Sequence, residues 1–144
     1  MKKKAIIFDL DNTIYPVAAI SERLFGELFA LIESKGEFTG DMERIKYGIN
    51  RKPFQVVASD FGFSKYLESN CIRVLENLTY EADIATFEDY PVVKALPCRK
   101  FLVTAGFLKM QESKIDRLKI RNDFEECIFQ LKSIPSFQLT KHAT

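Results

Sequence analysis

At 144 residues the chain suits one domain carrying a small inserted module, and it would bury about two-thirds of its unfolded surface. Its 47% hydrophobic and 28% charged residues exclude a disordered default state, and 21 Lys and Arg against 20 Asp and Glu leave no charge excess for a nucleic acid or a membrane face. Met1-Lys2-Lys3-Lys4 has the basic start of a signal peptide, but Asp9 breaks the apolar run that follows too early and no run reaches the length of a membrane span, so a cytoplasmic protein is expected.

Ala5, Ile6, Ile7 and Phe8 form a short continuous apolar run, which predicts a strand buried on both faces of a parallel sheet. Two carboxylates follow at once. Residues two apart on an extended chain point the same way, so Asp9 and Asp11 are expected to face one pocket at the C-terminal edge of the sheet, where open parallel sheets bind ligands. Two such close like charges are relieved by holding a proton or by binding a cation. An EF-hand loop also opens with Asp-x-Asp, but it needs Gly and Glu where this chain has Ile14 and Ile20. The residues alone leave open a metal-binding Asp-x-Asp of a nucleotide-sugar transferase and a chance pair of acids at a strand end.

From about residue 17 to 87 the sequence reads helical throughout. Ser21 is expected to cap a helix with Leu24, Phe25, Leu28, Phe29, Leu31 and Ile32 at helical spacing and Gly36 beyond its end. A weaker helix near 41–49 follows, then one opened by Pro53 and stopped by Gly62, then one after Ser64 that carries Leu67, Cys71, Val74, Leu75 and Leu78. Pro91 opens a short helical turn that Pro97 ends. A second apolar strand, Phe101 to Val103, finishes in Thr104-Ala105-Gly106, where a hydroxyl, a backbone amide and a sharp turn come together. A helix over 110–118 and a strand over 128–131 complete a parallel crossover of the right-handed kind. Cys71, Cys98 and Cys127 are odd in number and far apart, which excludes a full disulfide framework and a Cys-x-x-Cys metal site, so they read as core thiols.

Asp9-Leu10-Asp11-Asn12-Thr13, with the apolar run before it, closely resembles the first motif of the haloacid dehalogenase superfamily in its phosphatase branch. Tyr15-Pro16 is similar to the continuation in nucleotidase-like members with a small helical cap. The resemblance implies that Asp9 attacks phosphorus to give an aspartyl phosphate, and that Asp11 protonates the leaving alcohol and then activates water. It also implies Mg2+ bound by Asp9 and by the backbone carbonyl of Asp11, which would offset the meeting of carboxylate and phosphate charge. Dehalogenating members lack the second Asp, so Asp11 favours phosphate over a carbon–halogen bond. The strand ending in Thr104 resembles the second motif, whose hydroxyl holds the phosphoryl group beside the amide of Ala105. For the lysine of the third motif Lys141 is the first candidate and Lys132 the second.

The fourth motif, an acidic pair that completes the metal site, has no counterpart, because no Asp or Glu follows Glu126 and Asp123, Glu125 and Glu126 precede their strand. The loss of the strand that bears it would expose an edge of Ile6, Ile7 and Phe8 and invite self-association. The implied fold is a Rossmann-like, three-layer parallel α/β core over 1–15 and 90–144, C-terminally incomplete, with a helical cap over 16–89. The implied activity is Mg2+-dependent hydrolysis of a small phosphorylated metabolite. A catalytically weak remnant and a phosphotransferase or mutase are the alternatives.

Overall fold

The computed structural model describes residues 5–131. Three strands, β1 (Ala5–Phe8), β2 (Arg99–Gly106) and β3 (Glu126–Leu131), form one parallel sheet in the order β1-β2-β3. Six helices accompany them: α1 (Ser21–Lys35), α2 (Met42–Ile49), α3 (Phe54–Asp60), α4 (Lys65–Asn77), α5 (Tyr90–Ala95) and α6 (Leu108–Leu118). The parallel α/β core expected from the sequence is present.

Helix α6 crosses from β2 to β3 and packs on both. It covers the face that carries Phe8, Leu102, Thr104, Cys127 and Phe129, and Phe8 meets Phe124 edge-on at 6.0 Å. The opposite face is open among the described residues, with Ile7 69% and Ile128 41% exposed. The strand pattern of β1 is therefore alternating exposure, and the expectation of burial on both faces is corrected. An apolar run does not reveal whether a second layer of structure lies against it.

The helical segment uses the stops that its sequence advertises. Gly36 and Gly62 take left-handed φ values of 63° and 60° after α1 and α3. Asp41 caps α2 through the amide of Arg44 at 2.9 Å, and Ser64 caps α4 through that of Leu67 at 3.0 Å. Ser21 is no cap: it is the first residue of α1, and its hydroxyl donates to Asn50 Oδ1 at 2.7 Å. The helical reading of the whole segment also fails past Leu78. Residues 79–89 run without helix, pinned by the amides of Tyr80 to Ser113 Oγ, Ile84 to Arg117 O and Phe87 to Ile14 O. Those bonds to α6 and to the loop after β1 replace the helical ladder.

Helix α4 packs between α1 and α6. One apolar cluster consequently runs from Leu28 of α1 through Leu67 and Cys71 of α4 to Ile115 of α6 and Leu102 of β2, with Leu10 and Tyr15 inside it. Helices and sheet share a core rather than each holding its own. No helix among the described residues is long and apolar enough to cross a membrane.

Candidate functional site

Strand β1 ends at Phe8, so the two-residue alternation of an extended chain does not reach Asp11. A turn brings the carboxylates together instead. The amides of Thr13 and Ile14 both bond to Leu10 O, at 3.2 and 2.9 Å, and Asn12 takes a left-handed φ of 59°. Asn tolerates that conformation because its short polar side chain bonds locally. Asn12 Oδ1 accepts the amide of Val17 at 3.0 Å, and its Nδ2 donates to Asn50 O at 3.0 Å, which ties the turn to the end of α2.

Asp9 and Asp11 line one cleft of about 280 Å³, together with Ala105, Gly106, Gln111 and Lys114. Phe25, Phe54, Leu75 and Met110 supply an apolar wall from the helices. A larger hollow of about 780 Å³ between α2 and α3 touches neither carboxylate. Its volume comes with no acid, base or nucleophile from the strand ends, so the smaller cleft is the candidate site.

The two acids have opposite surroundings. Asp9 is exposed, and Oδ1 accepts the amide of Leu10 at 2.9 Å. Asp11 is held on every side: Oδ1 accepts from Tyr15 Oη at 2.6 Å and from Lys114 Nζ at 3.0 Å, and Oδ2 accepts from Gln111 Nε2 at 2.9 Å. Burial would raise the Asp11 carboxyl, but the Lys114 charge and the three donors outweigh it and hold the group below the usual carboxylate range. Tyr15 moves the other way. Its burial and the adjacent Asp11 charge push the phenol well above its ordinary range, so it stays a neutral donor.

Of the residues that the sequence singled out, Asp9, Asp11 and Ala105 share the cleft. Thr104 is not at a strand tip, since β2 continues to Gly106 and Thr104 pairs with Phe129. It is buried against α6, where its Oγ1 accepts from Gln111 Nε2 at 2.7 Å. Lys141 and Lys132 lie outside the described residues. Glu126 opens β3 rather than preceding it, while Glu125 is paired with Arg99 at 2.7 Å and Asp123 accepts from Tyr90 Oη at 2.8 Å. These acids sit at the edge of the sheet opposite the cleft.

Sequence reading missed Lys114 and Gln111. Both belong to the inner stripe of α6, Met110, Gln111, Lys114, Ile115 and Leu118, and both are buried. A signal was there: a Lys and a Gln occupy positions that helical spacing turns toward the core, and buried polar groups need partners.

The donor set for Mg2+ is short. Both Asp11 oxygens are engaged, which leaves the free Asp9 oxygen and the Asp11 carbonyl, whereas a hard cation takes about six oxygens. No group of three His, Cys, Asp or Glu among the described residues could hold a metal. The described residues do not amount to a magnesium site.

No protein-family model matches the chain, and no curated protein matches it. Solved structures do. The chain is similar to haloacid dehalogenase-type hydrolases. The L-2-haloacid dehalogenase of Xanthobacter autotrophicus is 16% identical with a TM-score of 0.43, over 96% of this chain and 64% of that one. The HAD-hydrolase YfnB of Bacillus subtilis, bound to magnesium, is 16% identical with a TM-score of 0.48, over 90% and 64%. A haloacid dehalogenase-like hydrolase of Xanthomonas campestris is 12% identical with a TM-score of 0.49, over 97% and 68%. The chain thus spans 64% of the length of the first two, and none of the three assigns a role to a residue here.

Proposed function

We propose that the chain is a haloacid dehalogenase-type hydrolase that cleaves small phosphomonoesters in the cytoplasm through an aspartyl phosphate on Asp9. One observation carries this reading: an open carboxylate at the end of β1 shares its cleft with a second carboxylate fixed by a buried lysine. The Asp9 oxygen attacks phosphorus and the bond to the leaving oxygen breaks, that oxygen taking a proton from solvent water. Water then attacks the same phosphorus, phosphate departs, and the Asp9 carboxylate is restored. Asp11 is suited to take the proton from that water, since its carboxylate is held ionised.

Lys114 is our candidate for the cation that offsets the charge of nucleophile and phosphate, because it is 3% exposed and 3.0 Å from Asp11. Ala105 and Gly106 bring backbone to the same cleft, and Thr104 stands one residue before them. The segment over 16–89 acts as a cap whose apolar wall receives the leaving group, and a cleft near 280 Å³, just below the range of about 300–1,000 Å³ for small-molecule sites, favours small esters. The shortage of metal donors favours a second reading, a weakly active remnant that binds phosphate.

Hydrolysis of an aryl phosphate by the 144-residue chain, with Mg2+ and with chelator, decides between them. Turnover that Asp9→Asn abolishes supports the hydrolase, and its loss in chelator adds Mg2+ to the mechanism. Turnover unchanged in Asp9→Asn refutes the nucleophile. Absence of turnover from folded protein favours the remnant.

A further inference from the structure

We propose that the hollow between α2 and α3 receives a second anionic group of the substrate, so that the ester cleaved at Asp9 carries a carboxylate or a further phosphate on its leaving group. The inference rests on the reading of the cleft as a phosphomonoester site and names the class of ester. The hollow of about 780 Å³ and the cleft of the two carboxylates are neighbours, since Arg51 and Lys52 line both. Asn12, beside Asp11, fixes this junction through its bond from Nδ2 to Asn50 O at 3.0 Å. The residue before Arg51 is thereby held against the turn that carries Asp11. A leaving group that extends out of the smaller cleft on this side meets basic residues.

The charges of the hollow are unevenly matched. Arg44, Arg51 and Lys52 line it together with Glu43 and Asp60. Each acid already has a cation: Glu43 Oε1 is 3.9 Å from Lys46 Nζ, and Asp60 Oδ2 is 3.4 Å from Lys52 Nζ. Among the described residues neither Arg44 nor Arg51 is paired with a carboxylate. Two guanidiniums in one concavity are suited to an anion, because the planar fork meets a carboxylate or a phosphate with two parallel hydrogen bonds.

Local structure puts both arginines on one face. The helical turn of α2 runs on past Ile49: Asn50 keeps right-handed helical angles, and the amides of Arg51 and Lys52 both bond to Gly48 O, at 3.0 and 2.8 Å. Arg44, Gly48 and Arg51 therefore follow at the i, i+4, i+7 spacing of a single stripe. Gly48 adds only backbone to that stripe. A Cβ there would stand 3.3 Å from Val57 Cγ2, so glycine lets α3 approach as the other wall of the hollow. The Arg51 guanidinium lies 4.5 Å over the Tyr47 ring, which holds the fork by its face and leaves its N–H edge for a ligand.

The test titrates nonhydrolysable phosphonates into the full chain by calorimetry: alkylphosphonates of stepped length, their ω-carboxy analogues and the matching diphosphonates. In parallel, kcat and KM are compared for phenyl phosphate and para-carboxyphenyl phosphate. The best anion-tailed phosphonate is expected to bind about tenfold tighter than its plain counterpart, the worth of one hydrogen bond to a charged group. Whether the carboxylate or the second phosphonate gains more identifies the anion. Arg51→Gln should remove most of this advantage, Arg44→Gln part of it, and Arg51→Lys should keep some, having the charge without the fork. Both arginines are exposed, so the variants should melt with the wild type. Equal affinity for tailed and plain phosphonates, or an advantage that survives Arg51→Gln, would overturn the proposal. Hydrolysis of both esters with equal kcat/KM refutes the anion subsite and keeps the hydrolase. An arginine-dependent advantage in binding without turnover of either ester refutes the hydrolase and keeps the subsite, and a chain that binds no phosphonate overturns both.

Discussion

The contrast between Asp9 and Asp11 comes from what surrounds each of them. Asp9 keeps a free oxygen toward the cleft, while Asp11 is bound by Tyr15, Gln111 and Lys114. Lys114 is 3% exposed in its side chain and Asp11 33%, so their pair is partly withdrawn from water. Breaking a buried pair by removing one partner leaves the other charge without compensation, at a cost of about 3–5 kcal/mol. Lys114→Met is therefore expected to lower unfolding free energy in urea by about that amount, and adding Asp11→Asn to it should recover part of the loss. A loss under about 1 kcal/mol, the scale of an exposed pair, would show that the contact does not hold the site together.

Among the elements, α4 does most to join the helices to the sheet, since it packs on α1 and on α6. Its Cys71 is fully buried, and the thiol is pushed up to about 12, by burial first and then by the nearby Glu68 charge. The folded value lies above the unfolded one near 9.0, so the buried thiol favours the fold below pH 9, and that contribution is lost as pH rises toward 12. Alkylation of native protein at about pH 8, read by mass spectrometry, should modify the half-exposed Cys98 and Cys127 well before Cys71. Early labelling of Cys71 would mean that α4 opens easily, and with it the wall of the cleft.

At the scale of the whole sheet, the face and the β1 edge left open among the described residues are the features with consequences. Among the described residues β1 pairs only with β2, and Ile7 is 69% exposed. An unpaired apolar strand is a template for another chain. Sedimentation velocity over a wide concentration range is expected to show self-association, reduced by Ile7→Lys; a concentration-independent monomer would refute pairing at this edge. The architecture that makes this edge was largely legible. Apolar runs and stripes marked all three strands and the main helices, and Asp41, Ser64, Gly36 and Gly62 marked their ends, because these signals depend on neighbours within a turn or two. Residues 79–89 were misread because their backbone is satisfied by Ser113, Arg117 and Ile14, partners that no local window contains.

The sequence by itself determined the parallel α/β core and singled out Asp9 and Asp11, since a short apolar run predicts a sheet strand and the two acids follow at its C-terminal end. Tertiary structure decided everything that passes between elements. It set Lys114 and Gln111 of α6 against Asp11, about a hundred residues earlier in the chain, and drew Thr104 back from the cleft onto Gln111. The reason is one of range: periodicity states which side of a helix is buried, but which polar groups meet there depends on how α6 docks on β2.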